Sequence, residues 1–371
     1  MSQRAGKKPE KIRGVNLGGW LVLEKWMTPS LFEGLAARDE TSWCVELGEK
    51  ADAILKRHWN SFITRDDFAW LTRAGINAVR IPVGHWLFEA DYPYHPSYGE
   101  YPYPYVQGGL AFLDKAFDWA EEAGLVIVLD LHAAPGCQNG FDNGGIQDVC
   151  EWHTREAYID YSVKTLGRLA RRYGKRPALQ GIEVLNEPRW DIDTELLKRY
   201  NRAAYREIRN YCSKQLAVIF HDGFRSFREY GSYLSASEFS NVVFDIHRYQ
   251  CFIQEDIELD IFGHLQKVLT DWKNEAEDIV NHAGILAYVG EWSLGLDLNA
   301  LETWGRSVFG NRQPAVDDFQ LNLIYRAYAA AQLLCFEKYQ GWFFWSYKTE
   351  TMPAWSFRDC VERGWLPATF S

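Results

Sequence analysis

Two glutamates stand where apolar runs of the sequence end. Glu187 lies in the segment LNEP (185–188), and Glu291 lies in the segment GEW (290–292). Paired carboxylates at a short separation are the reacting groups of glycoside hydrolysis, in which one protonates the leaving oxygen and the other attacks the anomeric carbon. A single glutamate at such a position would more often form a salt bridge at the rim of the fold. Two of them, each at the end of a buried run, favour hydrolytic chemistry.

Further polar and aromatic residues occur at the ends of other apolar runs. Such groups are costly at the end of a hydrophobic strand unless they are used or paired. We therefore expect them to line the same site as the two glutamates, although a lone histidine is more often a satisfied core residue. They are Arg80, His132, Asn186, His247, Tyr249 and Trp345.

Eight short apolar runs alternate with amphipathic stretches. Runs that are nearly continuous indicate strands buried on both faces, as in a parallel sheet covered by helices. Eight such strands favour an α/β fold in the form of a closed (β/α)8 (TIM) barrel over an open, doubly wound sheet, and no GxGxxG motif follows an early strand. The carboxyl ends of barrel strands form the active site, so the fourth and seventh runs bring both glutamates to one crater. The runs lie at 14–17, 78–83, 125–132, 181–186, 216–220, 242–247, 285–291 and 341–346.

Between the strands, apolar residues recur at three- and four-residue spacing. Residues 110–120 and 158–173 show this helical spacing, and a glycine follows each stretch. No repeat, low-complexity tract or flexible linker divides the chain, so we expect residues 1–371 to form a single barrel domain. A Pro- and Tyr-rich insertion at 92–105 predicts an extended loop after the second strand, on the active-site face.

Composition and charge exclude several classes of protein. The chain has 371 residues, of which 47% are hydrophobic, and its formal net charge is −10, which excludes a disordered or fibrous protein. Because lysines and arginines are scattered, we expect no nucleic-acid partner, and because no apolar run is long enough, we expect no membrane insertion. The N-terminal residues lack the apolar core of a secretory signal, which predicts a cytoplasmic protein, or a secreted one whose signal has been removed. We expect a monomer.

Cysteine and aromatic content add weaker indications. Seven cysteines without a CxxC pair predict neither a disulfide framework nor a structural zinc site, and whether Cys137 and Cys150 pair stays open. Phe, Trp and Tyr make up 15% of the residues. Their flat rings suit stacking against a neutral, hydroxylated ligand, although a large core accounts for most of them.

The sequence resembles glycoside hydrolase family 5, and within it the exo-β-1,3-glucanase branch. The resemblance covers nearly the whole chain in order, and the combination of LNEP with a later GEW and a late FWSYK is highly specific. It is carried by RGVNLGGWLVLEKWMTPSLFEG (13–34), GINAVRIPVGHW (75–86), YVQGGLAFLDKAFDWAEEAGL (105–125), DLHAAPGCQNGFDNGG (130–145), LNEP (185–188), HRYQCF (247–252), VGEW (289–292) and FFWSYKTE (343–350).

The resemblance implies roles for the two glutamates and their neighbours. Glu187 matches the family's acid/base, and Asn186 beside it would bind the sugar 2-hydroxyl. Glu291 matches the nucleophile, which implies a covalent glycosyl-enzyme and retention of configuration. Arg80 matches the arginine that holds this carboxylate ionised and oriented. An acid/base role further implies a raised pKa for Glu187 and activity that falls as pH rises past it.

Other matched residues would bind the sugar. Tyr249 would donate a hydrogen bond to the nucleophile, and Trp345 would form the platform under the glucose ring. The residues that would line the first sugar subsite are His132 and His247. Glu24 and Asp142 match acids that bind the terminal hydroxyls, and Phe141 and Phe252 match a pair that clamps the next sugar at the pocket mouth.

The resemblance implies a retaining, exo-acting β-glucosidase or glucan β-1,3-glucosidase that takes a β-glucan or β-glucoside and needs no cofactor. No HxH or HExxH spacing occurs, so we expect no metal, and a metal-assisted amidohydrolase on the same barrel is disfavoured. The alternatives within the family are a β-1,6-glucosidase, an endo-glucanase and a glycolipid β-glucosidase. A sugar-binding module without activity is disfavoured because both glutamates are present.

Overall fold

The eight predicted strands form one closed, parallel barrel in sequence order. The computed structural model describes residues 11–88, 104–297 and 318–370. Each strand pairs in parallel with the next, and the eighth pairs with the first. The predicted (β/α)8 barrel is therefore confirmed. The strands are β1 (Ile12–Asn16), β2 (Ala78–Gly84), β3 (Val126–Ala133), β4 (Leu179–Glu183), β5 (Ala217–His221), β6 (Val242–Gln250), β7 (Ala287–Leu296) and β8 (Gly341–Phe344).

Helices cover the outside of the barrel, and several of them begin at a residue whose side chain caps the helix. The Asp39 side chain accepts a hydrogen bond from the Ser42 amide at the start of α1, at 2.7 Å, and Asp193 caps α6 in the same way. The two helices predicted from spacing are α4 and α5. The helices are α1 (Glu40–Leu47), α2 (Lys50–Ser61), α3 (Arg65–Arg73), α4 (Gly109–Ala123), α5 (Glu156–Tyr173), α6 (Thr194–Arg209), α7 (Phe227–Tyr230), α8 (Gln254–Ile257), α9 (Ile261–Lys267), α10 (Lys273–Glu277), α11 (Asp318–Phe336) and α12 (Phe357–Glu362).

Three sequence expectations concern parts of the chain away from the barrel interior. The predicted loop at 92–105 lies outside the described residues except for its last two, of which Tyr105 is buried and stacks on Trp86 with ring centroids 4.2 Å apart. Cys137 and Cys150 are free thiols. Across the described ranges, no helix combines the length and apolar character that a membrane span needs.

The barrel interior consists of two layers of different chemistry. The lower layer, near the amino ends of the strands, is an apolar cluster of nine buried residues. Two residues further along the same strands, side chains again point inward, because successive side chains of a strand alternate between its faces. There the charged layer begins, with the buried residues Arg80, Asp130, Glu183 and Asp245. The lower layer is Ile12, Ala78, Val126, Val128, Ala217, Ile219, Val243, Tyr288 and Phe343.

Candidate active site

The two predicted glutamates lie on either side of one histidine. The Nδ1 atom of His247, on β6, is 2.7 Å from Glu187 Oε1 and 3.4 Å from Glu291 Oε2. These two facing carboxylate oxygens are therefore at most about 6 Å apart, which is compatible with the ~5–5.5 Å between the carboxyl groups of retaining glycosidases. All three side chains are buried, and they lie at the carboxyl end of the barrel.

The backbone at Glu187 adopts an unusual conformation that neighbouring loops hold in place. Its φ of 45° falls in the left-handed region, which L-residues seldom occupy and which clusters at functional sites. The preceding Asn186 donates its amide to the carbonyl of Leu131 at 2.9 Å. Gln138 accepts the amide of Arg189 at 3.0 Å and donates its side chain to the carbonyl of Asn186 at 2.8 Å. Sequence reasoning missed Gln138, whose signal was its place in the segment APGCQNG.

The guanidinium of Arg80 forms the floor of the crater. It lies inside β2 rather than at its end, and its guanidinium is 1% exposed. Four hydrogen bonds and an ion pair fix its plane, so the carboxylate of Glu291 and the amide of Asn186 are oriented by one group. Its partners are Glu183 (2.7 Å), Asn186 (2.8 Å), Asn16 (2.9 Å), Glu291 (3.0 Å) and Asp130 (3.1 Å).

Each glutamate has a second hydrogen-bond donor. The phenol of Tyr249 donates to Glu291 Oε2 at 2.8 Å, which brings these two predicted residues together. The side-chain amide of Asn143 donates to Glu187 Oε2 at 3.1 Å. Asn143 was not predicted, although it adjoins the predicted Asp142. Both carboxylates are therefore fixed from two sides.

The ionisation of Glu187 differs from the sequence expectation. Burial raises the pKa of Glu187, but the hydrogen bond and the charge of His247 outweigh it, and the net pKa is lowered. The expectation of a raised pKa for Glu187 is therefore wrong, and its cause is a partner sixty positions away in sequence. Burial and the charge of Glu187 raise the pKa of Glu291 despite the opposing charges of His247 and Arg80.

His247 carries the proton of this cluster. Burial lowers its pKa, but the charge of Glu291, together with Asp245 and Glu187, outweighs burial and raises it well above its ordinary value. The Nε2 atom lies 3.5 Å from the Asp245 carboxylate in the charged layer. An imidazolium therefore stands between two carboxyl groups, with its Nδ1–H directed at Glu187.

Trp345 and His132 form one wall of the crater. Their rings are stacked, with centroids 5.3 Å apart and planes 5° from parallel. His132 Nδ1 is 2.6 Å from Asp130, and in the described part of the chain its Nε2 has no hydrogen-bond partner. Trp345 is 3% exposed, and the peptide bond that follows it is cis. The wall thus offers an aromatic face beside a ring nitrogen that can bind a hydroxyl.

Glu24 and Asp142 form a second pair of acids near the first. Burial, followed by the charge of Asp142, raises the pKa of Glu24 well above its usual range, and the charges of Glu291 and Glu187 add to this. Burial also raises the pKa of Asp142. Glu24 accepts a hydrogen bond from the indole of Trp26 at 2.9 Å. Trp26 was not predicted from the sequence.

Aromatic rings stand at the mouth of the crater. Phe141 is 39% exposed and Phe252 is 68% exposed, and these two described rings do not touch each other. The ring of Phe252 lies 5.3 Å from Tyr249 and 6.0 Å from Trp355, and Trp355 in turn lies 5.3 Å from Trp26. Sequence reasoning missed Trp355, which joins the mouth to the tyrosine beside Glu291.

Two groups of side chains could offer ligand atoms to a metal ion. Their atoms lie within 4.8 Å of one another, and both groups include His247, whose Nδ1 already bonds Glu187. His221, which sequence reasoning missed, accepts the Gly223 amide at its Nδ1. The absence of a metal requirement stays a prediction. The groups are Glu187, His221 and His247, and Glu183, Asp245 and His247.

The sequence and the fold are similar to those of known proteins. The family model of cellulase (glycosyl hydrolase family 5) matches residues 48–348. The glucan 1,3-beta-glucosidase of Blumeria graminis is 34% identical, over 96% of this chain and 87% of that protein. The glucan 1,3-beta-glucosidase of Candida oleophila is 36% identical, over 96% of this chain and 89% of that protein.

Solved structures share the fold at lower identity. The rutinosidase from Aspergillus niger superposes with a TM-score of 0.77 at 19% identity, covering 96% of this chain and 98% of that chain. Endoglucanase Cel5A from Thermotoga maritima gives a TM-score of 0.57 at 17% identity, covering 95% and 96%. With the family model matched over most of the barrel and relatives above 30% identity along nearly the whole chain, this protein belongs to glycosyl hydrolase family 5.

Proposed function

We propose that this chain is a retaining, exo-acting glucan β-1,3-glucosidase that releases glucose from non-reducing ends by double displacement. The observation that carries this proposal is the pair of carboxylates, Glu187 and Glu291, held on either side of His247 at most about 6 Å apart. The names of the relatives from Blumeria graminis and Candida oleophila support the substrate class. We further propose that the protein acts as a monomer of one barrel domain.

In the first step, Glu291 attacks the anomeric carbon and Glu187 protonates the leaving oxygen. Arg80 and Tyr249 hold Glu291 by hydrogen bonds to its two different oxygens, at 3.0 and 2.8 Å. The carboxylate is therefore oriented before the substrate arrives, which lowers the entropic part of the barrier. The product of this step is a glucosyl ester of Glu291.

The proton for the leaving group comes from His247. The charge of Glu291 is the largest influence that raises the pKa of His247. As Glu291 forms its ester, that charge disappears and the pKa of His247 falls. Its Nδ1 proton passes along the 2.7 Å hydrogen bond to Glu187, which protonates the leaving oxygen in the same step. Nucleophilic attack and acid catalysis are thereby coupled through one imidazole.

In the second step, Glu187 acts as a base. It removes a proton from the water that attacks the glucosyl ester and returns this proton to His247 as the charge of Glu291 is restored. Inversion at each of the two steps gives net retention. Asn143, which donates to Glu187 at 3.1 Å, keeps the carboxylate in place as it changes roles. The proposed reaction uses water, the two carboxylates and the proton of His247, without a metal ion, so we expect EDTA to leave the rate unchanged.

The proposed sugar pocket contains polar atoms that have no hydrogen-bond partner within the described residues, among them Asn186 Nδ2 and His132 Nε2. Asn186 accepts from Arg80 through its oxygen, and in the described residues its Nδ2 has no acceptor, so it can donate to the sugar 2-hydroxyl. Trp345 offers its face to the glucose ring and His132 its free nitrogen to a hydroxyl. His247, beside both carboxylates, completes the lining of this subsite.

Exo action requires a pocket that is closed behind the first sugar. Glu24 and Asp142 supply polar groups for the terminal hydroxyls of a chain end, and their mutual charge effect indicates that they lie close together. Phe141 and Phe252, exposed at the mouth and not in contact, leave a gap for the second sugar. An open cleft would instead admit a chain from both sides and act internally.

A timed product analysis on laminarin, with the anomer followed by NMR, tests the proposal. Glucose alone, released first as the β-anomer, is the expected product. Gentiobiose and an aryl β-glucoside serve as comparison substrates that rank the linkage. A ladder of oligosaccharides would mean an endo enzyme, and an initial α-anomer would contradict retention.

The variant Glu187→Gln tests the acid/base role separately. We expect a loss of at least about 100-fold on laminaribiose, whose leaving group needs a proton, and a much smaller loss in the glycosylation of an activated aryl glucoside. Glu258→Gln, an exposed glutamate, is the matched control. Equal and small losses on both substrates would contradict the assignment.

A further inference from the structure

An exposed tryptophan stands beside the crater with no assigned role. Trp190 is 59% exposed, and within the described residues its indole contacts no aromatic ring or cation. It follows Glu187 by three positions, so its Cα lies within about 11 Å of the Cα of that glutamate. The backbone of Trp190 therefore lies near the group that protonates the leaving oxygen, with its indole exposed to solvent.

The backbone of this tryptophan is fixed by both neighbouring loops. The guanidinium of Arg225, in the loop after β5, donates to the carbonyl of Trp190 at 2.5 Å and also to that of Ile192. The amide of Arg189 donates to Gln138, in the loop after β3, at 3.0 Å. The backbone that carries the exposed indole is thus anchored from two sides, which lowers the entropy cost of ordering this loop when a ligand binds.

A path of contacts joins this part of the rim to the reacting groups. Beside Arg225, Phe224 is 43% exposed and its ring lies 5.4 Å from His221. The ring of His221 lies 4.4 Å from His247, which bonds Glu187. The loop after β5, whose Arg225 bonds the carbonyl of Trp190, is therefore joined through Phe224 and His221 to the leaving-group side of the crater.

We propose that Trp190 is a stacking platform for a glucosyl residue of the leaving chain, beyond the sugar at the pocket mouth, and that it favours longer β-glucans over short glucosides. The inference rests on the proposed function, because it assumes that the leaving group is a glucan chain. An indole face packs well against the axial C–H groups of a β-linked pyranose. The occupant is a glucosyl unit rather than an anionic group, since the adjacent Arg189 is already paired with Asp191 at 2.6 Å.

The test compares substrates of different length in Trp190→Ala. Relative to wild type, we expect the ratio of kcat/KM for laminaripentaose to that for an aryl β-glucoside to fall about 3- to 10-fold, and Trp190→Phe to recover most of the ratio. Tyr211→Ala is the matched control. Tyr211 is an aromatic residue 43% exposed between α6 and β5, at the opposite end of the barrel, and its loss should leave the ratio unchanged.

Three outcomes would overturn the platform. They are an unchanged ratio in Trp190→Ala, an equal fall in Tyr211→Ala, and a loss confined to the aryl glucoside, which would assign the indole to small apolar aglycones. Binding of laminaripentaose to Glu291→Gln and to its double variant with Trp190→Ala, by calorimetry, separates this inference from the proposed function. If wild type releases no glucose from laminarin, the proposed function fails, whereas equal affinities of the two variants refute the platform alone.

Discussion

The two layers of the barrel interior share the strands β2, β3 and β6 but differ in their chemistry and in their roles. The lower layer contains aliphatic and aromatic side chains, and the only polar side-chain atom among its nine residues is the phenol oxygen of Tyr288. Two residues further along, the charged layer places an arginine among three acids, all nearly inaccessible to solvent. Apolar packing stabilises the fold by removing surface from water, whereas a buried ion cluster contributes weakly to stability and strongly to orientation.

Along the shared strands, residues that stabilise the fold are separate from residues that serve the chemistry. On β2, Ala78 belongs to the lower layer and Arg80 to the charged layer; on β6, Val243 and Asp245 are divided in the same way. The boundary between the apolar layer and the charged layer is therefore one pleat, or two residues, along a strand. Substitutions on its two sides should therefore move different measurements.

The largest effect is expected from Glu291→Gln, above the boundary. The amide cannot form the glucosyl ester, so kcat should fall by at least about 10⁴-fold while the protein stays folded. Turnover of laminaribiose and thermal melting measure the two quantities. Residual activity above about one percent of wild type would refute the nucleophile assignment.

Next in size is Arg80→Lys. Lysine keeps the positive charge among Asp130, Glu183 and Asp245 but cannot reproduce the planar set of hydrogen bonds that orients Glu291 and Asn186. We expect kcat/KM to fall about 10³-fold, or about 4 kcal/mol of transition-state stabilisation. Kinetics on an aryl glucoside and on laminaribiose measure the loss, and activity within tenfold of wild type would show that charge alone suffices.

In the lower layer, Phe343→Ala should lower the stability of the fold and leave the catalytic rate nearly unchanged. The ring is fully buried against Gly14, where an added Cβ would come within 2.3 Å of it. The cavity should lower the free energy of unfolding by about 3–5 kcal/mol, with kcat of the folded protein within about threefold of wild type. Denaturant titration and kinetics test this, with the exposed Leu334→Ala as control. A large fall in kcat would mean that the layers are coupled.

The smallest expected effect is a pH dependence of activity that arises above the boundary between the layers, at His247. His247 has a raised pKa, so its proton is present at low pH and is lost as pH rises through that value, and the activity that needs the proton falls with it. Laminaribiose should show this basic limb strongly and an activated aryl glucoside weakly, in kcat/KM measured from about pH 5 to 9. Identical limbs would place the proton elsewhere.

The same proton contributes to stability. It stabilises the fold fully below the ordinary histidine pKa of about 6.5, and this contribution is lost as pH rises through the raised value, at a slope of up to about 1.4 kcal/mol per pH unit. His247→Gln should flatten this slope, whereas Phe343→Ala should lower stability equally at every pH. Melting curves across the same buffers compare the two.

The fold was predictable because buried parallel strands are nearly continuous apolar runs, and all eight runs overlap a strand. Strand boundaries were less predictable. The fourth run was predicted to include Asn186, but β4 ends at Glu183, and the segment beyond it leads to the left-handed conformation of Glu187. Arg80 was placed at a strand end and lies inside β2.

The site was predictable in part. Residues at strand ends could be found from the pattern, whereas Glu24, Asp142, Phe141 and Phe252 lie in loops without periodicity and came only from the family resemblance. Gln138, Trp26 and Trp355 act through contacts between loops that no local pattern records. Glu183 and Asp245 did leave a signal, since a carboxylate inside an apolar run requires a buried partner.

Arg80 also limits how this protein can change. It bonds side chains from β1, β3 and β7, from the last residue of β4 and from the turn that follows β4. Replacing any one of these partners would therefore leave a buried hydrogen-bond donor or a buried charge without its partner. Arg80 and its partners must therefore change together, and several simultaneous substitutions rarely arise by single mutations. Trp190 and Phe252 stand on rim loops outside that network. New substrate preferences should arise there, in evolution or by design, above a floor that passes unaltered from one variant to the next.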